Sequence, residues 1–279
     1  MNGELTFLGT GTSMGVPTLG CECEVCTSTD PHDKRLRPSV LVRWSSTPAD
    51  AAMPVDAPAS VETTLHNVVI DTGPDFRAQA LQIGLKQVDA VFYTHAHADH
   101  ILGLDDLRPL SFEWHRKDGP IPLYATAETS AVLNCIFAYT FSPLSTYPTR
   151  ARVALHLLQD HNPIGEVDFV SVPVRHGEMM ITGYRVGRMA YLTDVSAIPE
   201  SSFALLEGLD VLVLSALRHK PHPSHTTVEQ ALAWAARIGA KQTWFTHIAH
   251  ELGHAATNRM LPKGVALAYD GLTLPVTLS

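Results

Sequence analysis

The sequence predicts a mixed α/β fold. Three observations indicate this class: apolar runs of strand length alternate with helical segments, several of these runs follow one another closely enough for hairpins, and no internal repeat of solenoid length occurs. A chain of 279 residues is within the range of one large α/β domain and can bury a substantial core. We therefore predict a single domain over residues 1–279.

The first third of the chain is predicted to consist mainly of short strands. A Gly-rich loop at 9–17 lacks the pattern of a phosphate-binding or dinucleotide-binding loop, so we interpret it as a tight turn near the active site. Residues 45–66 are rich in Ala, Pro, Ser and Thr without a usable period, which predicts a flexible surface insertion and not a domain boundary. We predict strands at 5–8, 38–44, 67–71 and 89–94, and a helix at 74–84 with proline in its first turn and glycine at its end.

The rest of the chain alternates between helices and strands. Cys135 lies in an apolar helical run and is predicted to be a buried thiol of the core, and residues 141–150 are predicted as a loop. We predict helices at 101–107, 131–139 and 228–238, and strands at 121–125, 153–158, 167–174, 181–186, 189–193, 210–214 and 242–246.

The stretch with the strongest chemical signal is His95-Ala-His97-Ala-Asp99-His100, directly after the predicted strand at 89–94. Four potential metal ligands therefore fall within six residues where a strand ends. Alternate side chains of an extended segment share a face, so His95 and His97 can converge on one cation, and a turn into the next helix can direct Asp99 and His100 to a second. A surface turn that merely contains histidines is the alternative, which this density of ligands disfavours.

Other apolar runs also end in a residue that can bind a metal or take part in catalysis. In layered α/β folds, binding sites form where strands end at one edge of a sheet. Any one of these residues could instead be a capping or hydrogen-bonding group, but their recurrence predicts one shared site. The residues concerned are Asp71, His95, His176, Asp194, Ser215 and His247.

The spacing His95-x-His97-x-Asp99-His100 resembles the signature of the metallo-β-lactamase superfamily of di-metal hydrolases. The resemblance implies an αββα sandwich, the metallo-β-lactamase fold, with two mixed sheets flanked by helices. It also implies a binuclear site with a complete set of seven ligands, which favours an enzyme over a binding module. It assigns one cation to His95, His97 and His176 and the other to Asp99, His100 and His247, with Asp194 as a bridge between them.

A second cluster of potential ligands is the Cys21-x-Cys23-x2-Cys26 motif. In a reducing compartment this spacing favours a thiolate metal site over disulfides, and a redox Cys-x-x-Cys pair is the main alternative. Three thiolates leave a closed structural zinc site one ligand short. Together with Thr246-His247-Ile-Ala-His250, the motif resembles the family of phosphoribosyl 1,2-cyclic phosphate phosphodiesterases of phosphonate degradation. This resemblance assigns Cys21, Cys23, Cys26 and His250 to one structural zinc.

His225 is the candidate for contact with a substrate phosphate. It precedes a predicted helix at which Thr226 and Glu229 have the spacing of a capping box, and a helix N-terminus suits a phosphate oxyanion. The same family has a catalytic histidine that is not a metal ligand at the matching position, which implies that His225 donates a proton to the leaving oxygen. His219 and His222 are nearby alternatives, and the sequence alone does not exclude His222.

Composition and charge argue against two classes of function. The formal net charge is −8, from 20 Lys and Arg against 28 Asp and Glu, so the chain repels polyanions at long range and binding of nucleic acid is disfavoured. A small phosphate ester stays compatible with this charge because bound cations reverse the local field. With no apolar run of membrane-spanning length and no leader pattern at its N-terminus, the sequence predicts a cytoplasmic protein without a membrane partner.

The sequence thus predicts a di-metal phosphodiesterase in which a metal-bridged hydroxide attacks a small phosphodiester, open-chain or cyclic. Asp99 and Asp194 orient the hydroxide in this prediction, and His225 assists the leaving group. Zinc or manganese is expected in the active site, with iron as a further choice, because nitrogen and oxygen ligands accept all three. Alternatives on the same scaffold are a thioester or lactone hydrolase and a tRNA-processing nuclease. A non-catalytic metabolite carrier in cofactor biosynthesis is an alternative of another class. The oligomeric state is open, a homodimer included.

Overall fold

Two β-sheets form the centre of the computed structural model, which describes residues 1–47, 63–112 and 118–279. Within this part of the chain, each sheet has seven strands. The first sheet contains β1 (Asn2–Gly9), β2 (Ser39–Ser46), β3 (Thr64–Ile70), β4 (Ala90–Phe92), β5 (Ile121–Ala125), β6 (Val153–Leu157) and β14 (Thr273–Thr277). The second contains β7 (His161–Ile164), β8 (Val167–His176), β9 (Met179–Val186), β10 (Met189–Leu192), β11 (Val211–Ser215), β12 (Gln242–Thr246) and β13 (Val265–Leu267).

Both sheets are mixed. The strand order is β14-β1-β2-β3-β4-β5-β6 in the first sheet and β13-β12-β11-β10-β9-β8-β7 in the second. Strands β3 to β6 pair in parallel, as do β10 to β13, and the remaining pairs are antiparallel. Because parallel neighbours end at the same edge of a sheet, the residues after β3 and β4 lie together, and so do the residues after β10, β11 and β12.

Helices cover the outer faces of the two sheets. Phe76 and Leu133 join a cluster with the outward side chains of the first sheet, and Val228 and Ala231 do the same for the second. The helices are α1 (Phe76–Gln82), α2 (Ala98–Ile101), α3 (Arg108–Ser111), α4 (Ala127–Ile136), α5 (Ala138–Phe141), α6 (Glu200–Phe203), α7 (Val228–Ile238) and α8 (His254–Asn258). No helix of the described residues is long and apolar enough to cross a membrane.

The core between the sheets is rich in aromatic side chains. Phe92 of β4 stacks on Tyr124 of β5 and on Phe169 of β8, with ring centroids 4.5 Å apart in both pairs. Such pairs contribute about 1 kcal/mol each beyond the area that they bury. The layers therefore follow the order helix, sheet, sheet, helix, and the predicted αββα sandwich is confirmed.

The predicted strands are all present, with ends that lie within three residues of the predicted ones. Strands β2 and β3 extend into the range predicted as an insertion, since Ser46 pairs with Thr64. Polar residues at an exposed strand end carry no hydrophobic period, which explains why the sequence did not show this pairing. Residues 48–62 of that range lie outside the described residues.

The predicted helix at 101–107 is wrong. The chain instead forms α2, a 3₁₀ turn at Leu104–Leu107 and then α3. Gly103 breaks the helix because its backbone packs directly on a neighbouring loop, where a Cβ atom would lie 2.0 Å from the carbonyl oxygen of Gly73. Its N–H group donates to Thr72 and not to a helical carbonyl.

The prediction for Cys135 is also wrong, because this thiol is exposed. It lies on α4, which buries Thr129 and Leu133. At about 100° per residue, Cys135 is roughly 200° around the helix from Leu133 and therefore points away from the core. The helical run is apolar on more than one face, so its composition did not reveal which face is buried.

Candidate metal centre

Three side chains of the predicted site follow the ends of strands in a left-handed backbone conformation. Asp71, Asp194 and His247 have φ values of 65°, 57° and 55°, and they are the non-glycine residues with positive φ in the described part of the chain. Asp and His adopt this conformation more readily than most residues. The turn that it produces ends β3, β10 and β12 abruptly, and such conformations cluster at functional sites.

The first ligand set consists of His95, His97 and His176. His95 follows β4, His97 precedes α2 and His176 ends β8. The Nε2 atoms of His95 and His176 lie 3.0 and 3.3 Å from Nδ1 of His97. Burial lowers the pKa of His95 and of His176, which keeps both rings neutral. Three imidazole nitrogens thus converge within 4.8 Å of one another, as in sites for one divalent cation.

The second set consists of Asp99, His100, Asp194 and His247. Nε2 of His100 lies 3.3 Å from a carboxylate oxygen of each aspartate, and Nε2 of His247 lies 3.0 Å from Asp194 and 3.8 Å from Asp99. Burial acts to raise the pKa of Asp194, but the charges of His247 and His100 outweigh it and hold this pKa well below its usual range. Asp194 also lies within 4.8 Å of His176, so it faces both sets.

Unpaired buried atoms show that a cation fits between these side chains. Within the described ranges, Asp99 Oδ2, His100 Nε2 and His247 Nε2 are buried and have no hydrogen-bond partner. An unpaired buried polar atom costs about 1–3 kcal/mol, and a cation bound by all three would remove that cost. Imidazole nitrogens and carboxylate oxygens are also the donor set that zinc and manganese accept. The second set therefore fits a divalent cation, and the first set offers three nitrogen donors of the kind that such cations bind.

Two buried groups orient the ligand rings from behind. One carboxylate oxygen of Asp71 lies 2.7 Å from Nδ1 of His100 and accepts the hydroxyl of Thr94 at 2.8 Å. The hydroxyl oxygen of Thr94 is in turn 3.0 Å from Nδ1 of His95. With Nδ1 engaged in both rings, Nε2 is the atom that faces the centre, which is how groups behind a metal site usually set the tautomer.

The loop before α7 approaches the centre from the other side. The carbonyl oxygen of Ser224 lies 2.7 Å from Nδ1 of His176 and orients that ring. The next residue, His225, has its ring centroid 4.7 Å from those of His176 and His247, and its Nδ1 lies 3.8 Å from Asp194. Burial, together with the charge of His247, lowers the pKa of His225 to about 3. Nδ1 of His225 is buried without a hydrogen-bond partner in the described structure, so it is one of the unpaired atoms at the centre, and it does not belong to either ligand set.

The other histidines of this loop are farther from the ligands. The ring of His222 lies 4.9 Å from that of His225, and His219 is exposed and 2.6 Å from Glu229. The predicted capping box at Thr226 and Glu229 is wrong by one residue, since Thr227 and Gln230 form it. The adjacent Thr-Thr pair at 226–227 allowed either register in the sequence.

The three cysteines converge on His250, as the family resemblance implies. The Sγ atoms of Cys21, Cys23 and Cys26 lie 3.2, 3.4 and 3.5 Å from Nδ1 of His250, and the four atoms form one candidate ligand group. The backbone N–H of Cys26 lowers the pKa of Cys23 to about 6, which favours the thiolate that a zinc site needs. All three thiols are free, and their common approach to one imidazole favours a metal site over a redox pair.

Sequence reasoning missed the residues that support these ligands. The sequence places Asp71 at the shared site but does not show that it lies behind His100, and Ser224 acts through a carbonyl group that no side chain reveals. Arg35 was not identified at all. Its guanidinium is fully buried and donates to the carbonyl oxygens of Ala249 and Leu252, on both sides of His250. An arginine in the charged stretch 33–37 gives no sequence signal of such burial.

The chain is similar to known proteins in both sequence and fold. Residues 66–248 match the β-lactamase superfamily domain. A solved structure described as a new diphosphatase from the PhnP family is 49% identical, with a TM-score of 0.88 over 100% of this chain and 98% of the other. Zinc-bound PqqB from Methylobacterium extorquens is 20% identical, with a TM-score of 0.65 over 97% of this chain and 99% of the other, which shows a shared fold.

A curated relative from Porphyromonas gingivalis carries a different functional name, octanoyltransferase. It is 36% identical over 270 residues, which make up 95% of this chain and 50% of the relative. The chain therefore spans about half the length of this relative.

Proposed function

Because this chain belongs to the β-lactamase superfamily, we propose that it is a metal-dependent hydrolase that cleaves a small phosphodiester, open-chain or cyclic. The observation that carries the proposal is a pair of ligand sets that Asp194 faces together and that lie next to the unpaired Nδ1 atom of His225. An anionic ester needs positive charge at its oxygens and a proton donor near its leaving group, and this centre has a place for each.

The ligand sets would hold two divalent cations, one between His95, His97 and His176 and the other between Asp99, His100 and His247, with Asp194 facing both. Such cations, when bound, lower the pKa of a water molecule and stabilise negative charge on phosphate oxygens. Asp99 and Asp194 would accept hydrogen bonds from the attacking water and so orient it. Their burial, at 6% and 2% exposure, keeps other water away from these oxygens.

His225 would contact the phosphate and assist the leaving oxygen. Its ring is packed between His176 and His247, so its position is defined without help from a substrate. An N–H group of this ring would donate a hydrogen bond to a phosphate oxygen, and the negative charge of a bound diester would favour the protonated ring that can transfer a proton to the leaving group. His222 is the nearest alternative donor.

Similarity over nearly the full length to a protein described as a diphosphatase supports hydrolysis of a phosphorus–oxygen bond. The name of the Porphyromonas gingivalis relative supports a second candidate, hydrolysis of an acyl ester or thioester at the same centre. A tRNA-processing nuclease is disfavoured by the net charge of −8.

We further propose that Cys21, Cys23, Cys26 and His250 hold one structural zinc. This ion would connect the N-terminal loop to the segment directly after β12. Since His247 lies in the same segment, the zinc would restrain a ligand of the active centre.

The proposed function is tested by elemental analysis of the purified protein combined with an activity panel. The panel contains bis(p-nitrophenyl) phosphate, a p-nitrophenyl acyl ester, a thioester and a lactone, each with the apoprotein and after addition of manganese or zinc. We expect about three metals per chain and metal-dependent turnover of the phosphodiester. Turnover of an acyl substrate alone would overturn the phosphodiesterase proposal in favour of the second candidate.

A further inference from the structure

A cavity of about 570 Å³ lies beside the first ligand set, between the start of α4 and the hairpin of β8 and β9. Its volume is within the usual range for sites that bind small molecules. Seven of the thirteen residues that line it are polar, but most of its wall surface consists of apolar atoms, to which six apolar residues contribute. They include Val132, Pro173, Met179, Met180 and Ile181.

One residue belongs both to the wall of the cavity and to the metal centre. His95, a residue of the first ligand set, is part of its wall. Met179 also lines the cavity and pairs across the hairpin with His176, another residue of that set. A group attached to a phosphate at the metal centre would therefore lie close to this cavity.

The charge of the wall restricts what can bind there. Among the described residues that line the cavity, none is Lys or Arg, and Glu128 is the carboxylate. A second phosphate or a carboxylate would face the like charge of Glu128, with no Lys or Arg in this wall to offset it. The methionines add a different property. Met179 and Met180 are 44% and 50% exposed, and unbranched thioether side chains adapt to flat or irregular apolar groups and contact aromatic rings favourably.

We infer that this cavity binds one ester substituent of the substrate, and that this substituent is uncharged and largely apolar, with the size of an aryl ring or a nucleobase. The inference rests on the proposed function, because it assigns a place to the phosphate at the neighbouring centre. It predicts which phosphodiesters are substrates. Diesters with an apolar substituent are accepted, and diesters whose substituent carries a further anionic group are disfavoured.

The inference is tested with ligands that need no turnover. Calorimetry on the metal-loaded protein compares phenylphosphonate with methylphosphonate, which share the anionic group and differ in the apolar substituent. We expect phenylphosphonate to bind at least about tenfold more tightly, because the ring buries apolar area in the cavity. In Met180→Glu this advantage should fall to about twofold or less, whereas Met180→Leu should retain it and methylphosphonate should bind all three proteins alike.

A matched control is Met260→Glu, which introduces the same charge at an exposed methionine outside the cavity and should leave the ratio of affinities unchanged. Glu128→Gln, tested with 4-phosphonobenzoate, should improve binding of this carboxylated ligand several-fold. Equal affinity for phenylphosphonate and methylphosphonate in the unaltered protein, or an advantage that persists in Met180→Glu, would overturn the inference. If the proposed function is wrong, phosphodiester turnover is absent. The binding measurement does not depend on turnover, so the two proposals can fail independently.

Discussion

Arg218 donates a hydrogen bond from Nη1 to Oε1 of Glu251 at 2.9 Å. Arg218 lies at the start of the loop that carries His225 and is bridged through its backbone to Thr227, the N-cap of α7. Glu251 follows His250, and its other carboxylate oxygen lies 3.7 Å from Nε2 of that ring. One ion pair therefore joins the loop beside the metal centre to the segment of the cysteine cluster.

Replacement of Arg218 by Met is expected to lower kcat/KM for the phosphodiester about three- to tenfold, because the loop that positions His225 loses one attachment. The free energy of unfolding should change by about 1 kcal/mol or less, since a partly exposed ion pair contributes little. Kinetics and denaturant unfolding measure the two effects. Arg188→Met is the matched control. Arg188 forms an ion pair with Asp210 just before β10 and β11 begin, at the ends of these strands that point away from the metal centre. Equal kinetic losses in both variants would contradict a positioning role for Arg218.

Asp194→Ala is expected to lower the metal content of the active centre and to reduce turnover at least about a hundredfold, because this carboxylate faces both ligand sets. Elemental analysis and initial rates at saturating manganese measure both effects. Asp168→Ala, which removes an exposed carboxylate paired with His161, should change neither. Retained turnover with full metal content in Asp194→Ala would refute the assignment.

Cys23→Ser is expected to remove one zinc per chain and to lower the midpoint of thermal unfolding, because a structural zinc contributes directly to folding free energy. Activity should fall less than in Asp194→Ala, since the cysteine cluster acts on the centre through the segment from His247 to His250. Cys135→Ser is the control, as this thiol is exposed and outside the cluster. Unchanged zinc content in Cys23→Ser would argue for the redox interpretation of the motif.

Asp71→Asn should weaken metal binding about 10- to 100-fold without removing any ligand. The carboxylate of Asp71 accepts a hydrogen bond from the Nδ1–H group of His100. An amide nitrogen in its place would donate to Nδ1 instead and would shift the ring proton to Nε2, the atom that faces the centre. Competition with a zinc-binding dye measures the change. Asp210→Asn is the control, because Asp210 precedes β11 at the end of this strand that points away from the metal centre, and this variant should bind metal like the unaltered protein. Unchanged metal affinity in Asp71→Asn would show that the tautomer of His100 does not matter.

Stability is expected to depend on pH through Asp270. Burial raises the pKa of this carboxyl to about 6, although it accepts hydrogen bonds from Thr10 and from the backbone of Leu36. The folded state therefore holds its proton more tightly than the unfolded state, and the associated stability is fully present below about pH 4 and lost as the pH rises through about 6. Two pKa units correspond to about 3 kcal/mol. Denaturant unfolding between pH 4 and 7 should show this loss, and Asp270→Asn should reduce it by about the same amount. An identical pH profile for the two proteins would contradict the assignment.

Much of the fold could be predicted because buried strands are short apolar runs bounded by polar residues, and β5 and β12 have the predicted ends. Prediction failed where a backbone contact overrode the local pattern. The close approach of Gly103 to Gly73 breaks the helix expected at 101–107. Short strands such as β7 and β13 have too few residues for a period to be visible.

The sequence alone determined which groups can bind cations and that they follow the ends of strands, because ligand chemistry depends on residue type and strand ends can be recognised from hydrophobic patterns. The tertiary structure decided which of these groups face one another and what holds them in place. The contact of Asp71 with His100, the carbonyl of Ser224 behind His176 and the apolar cavity next to His95 all join segments that are distant in the chain. Such contacts depend on how the two sheets and their loops pack together, and no local pattern of residues encodes that packing.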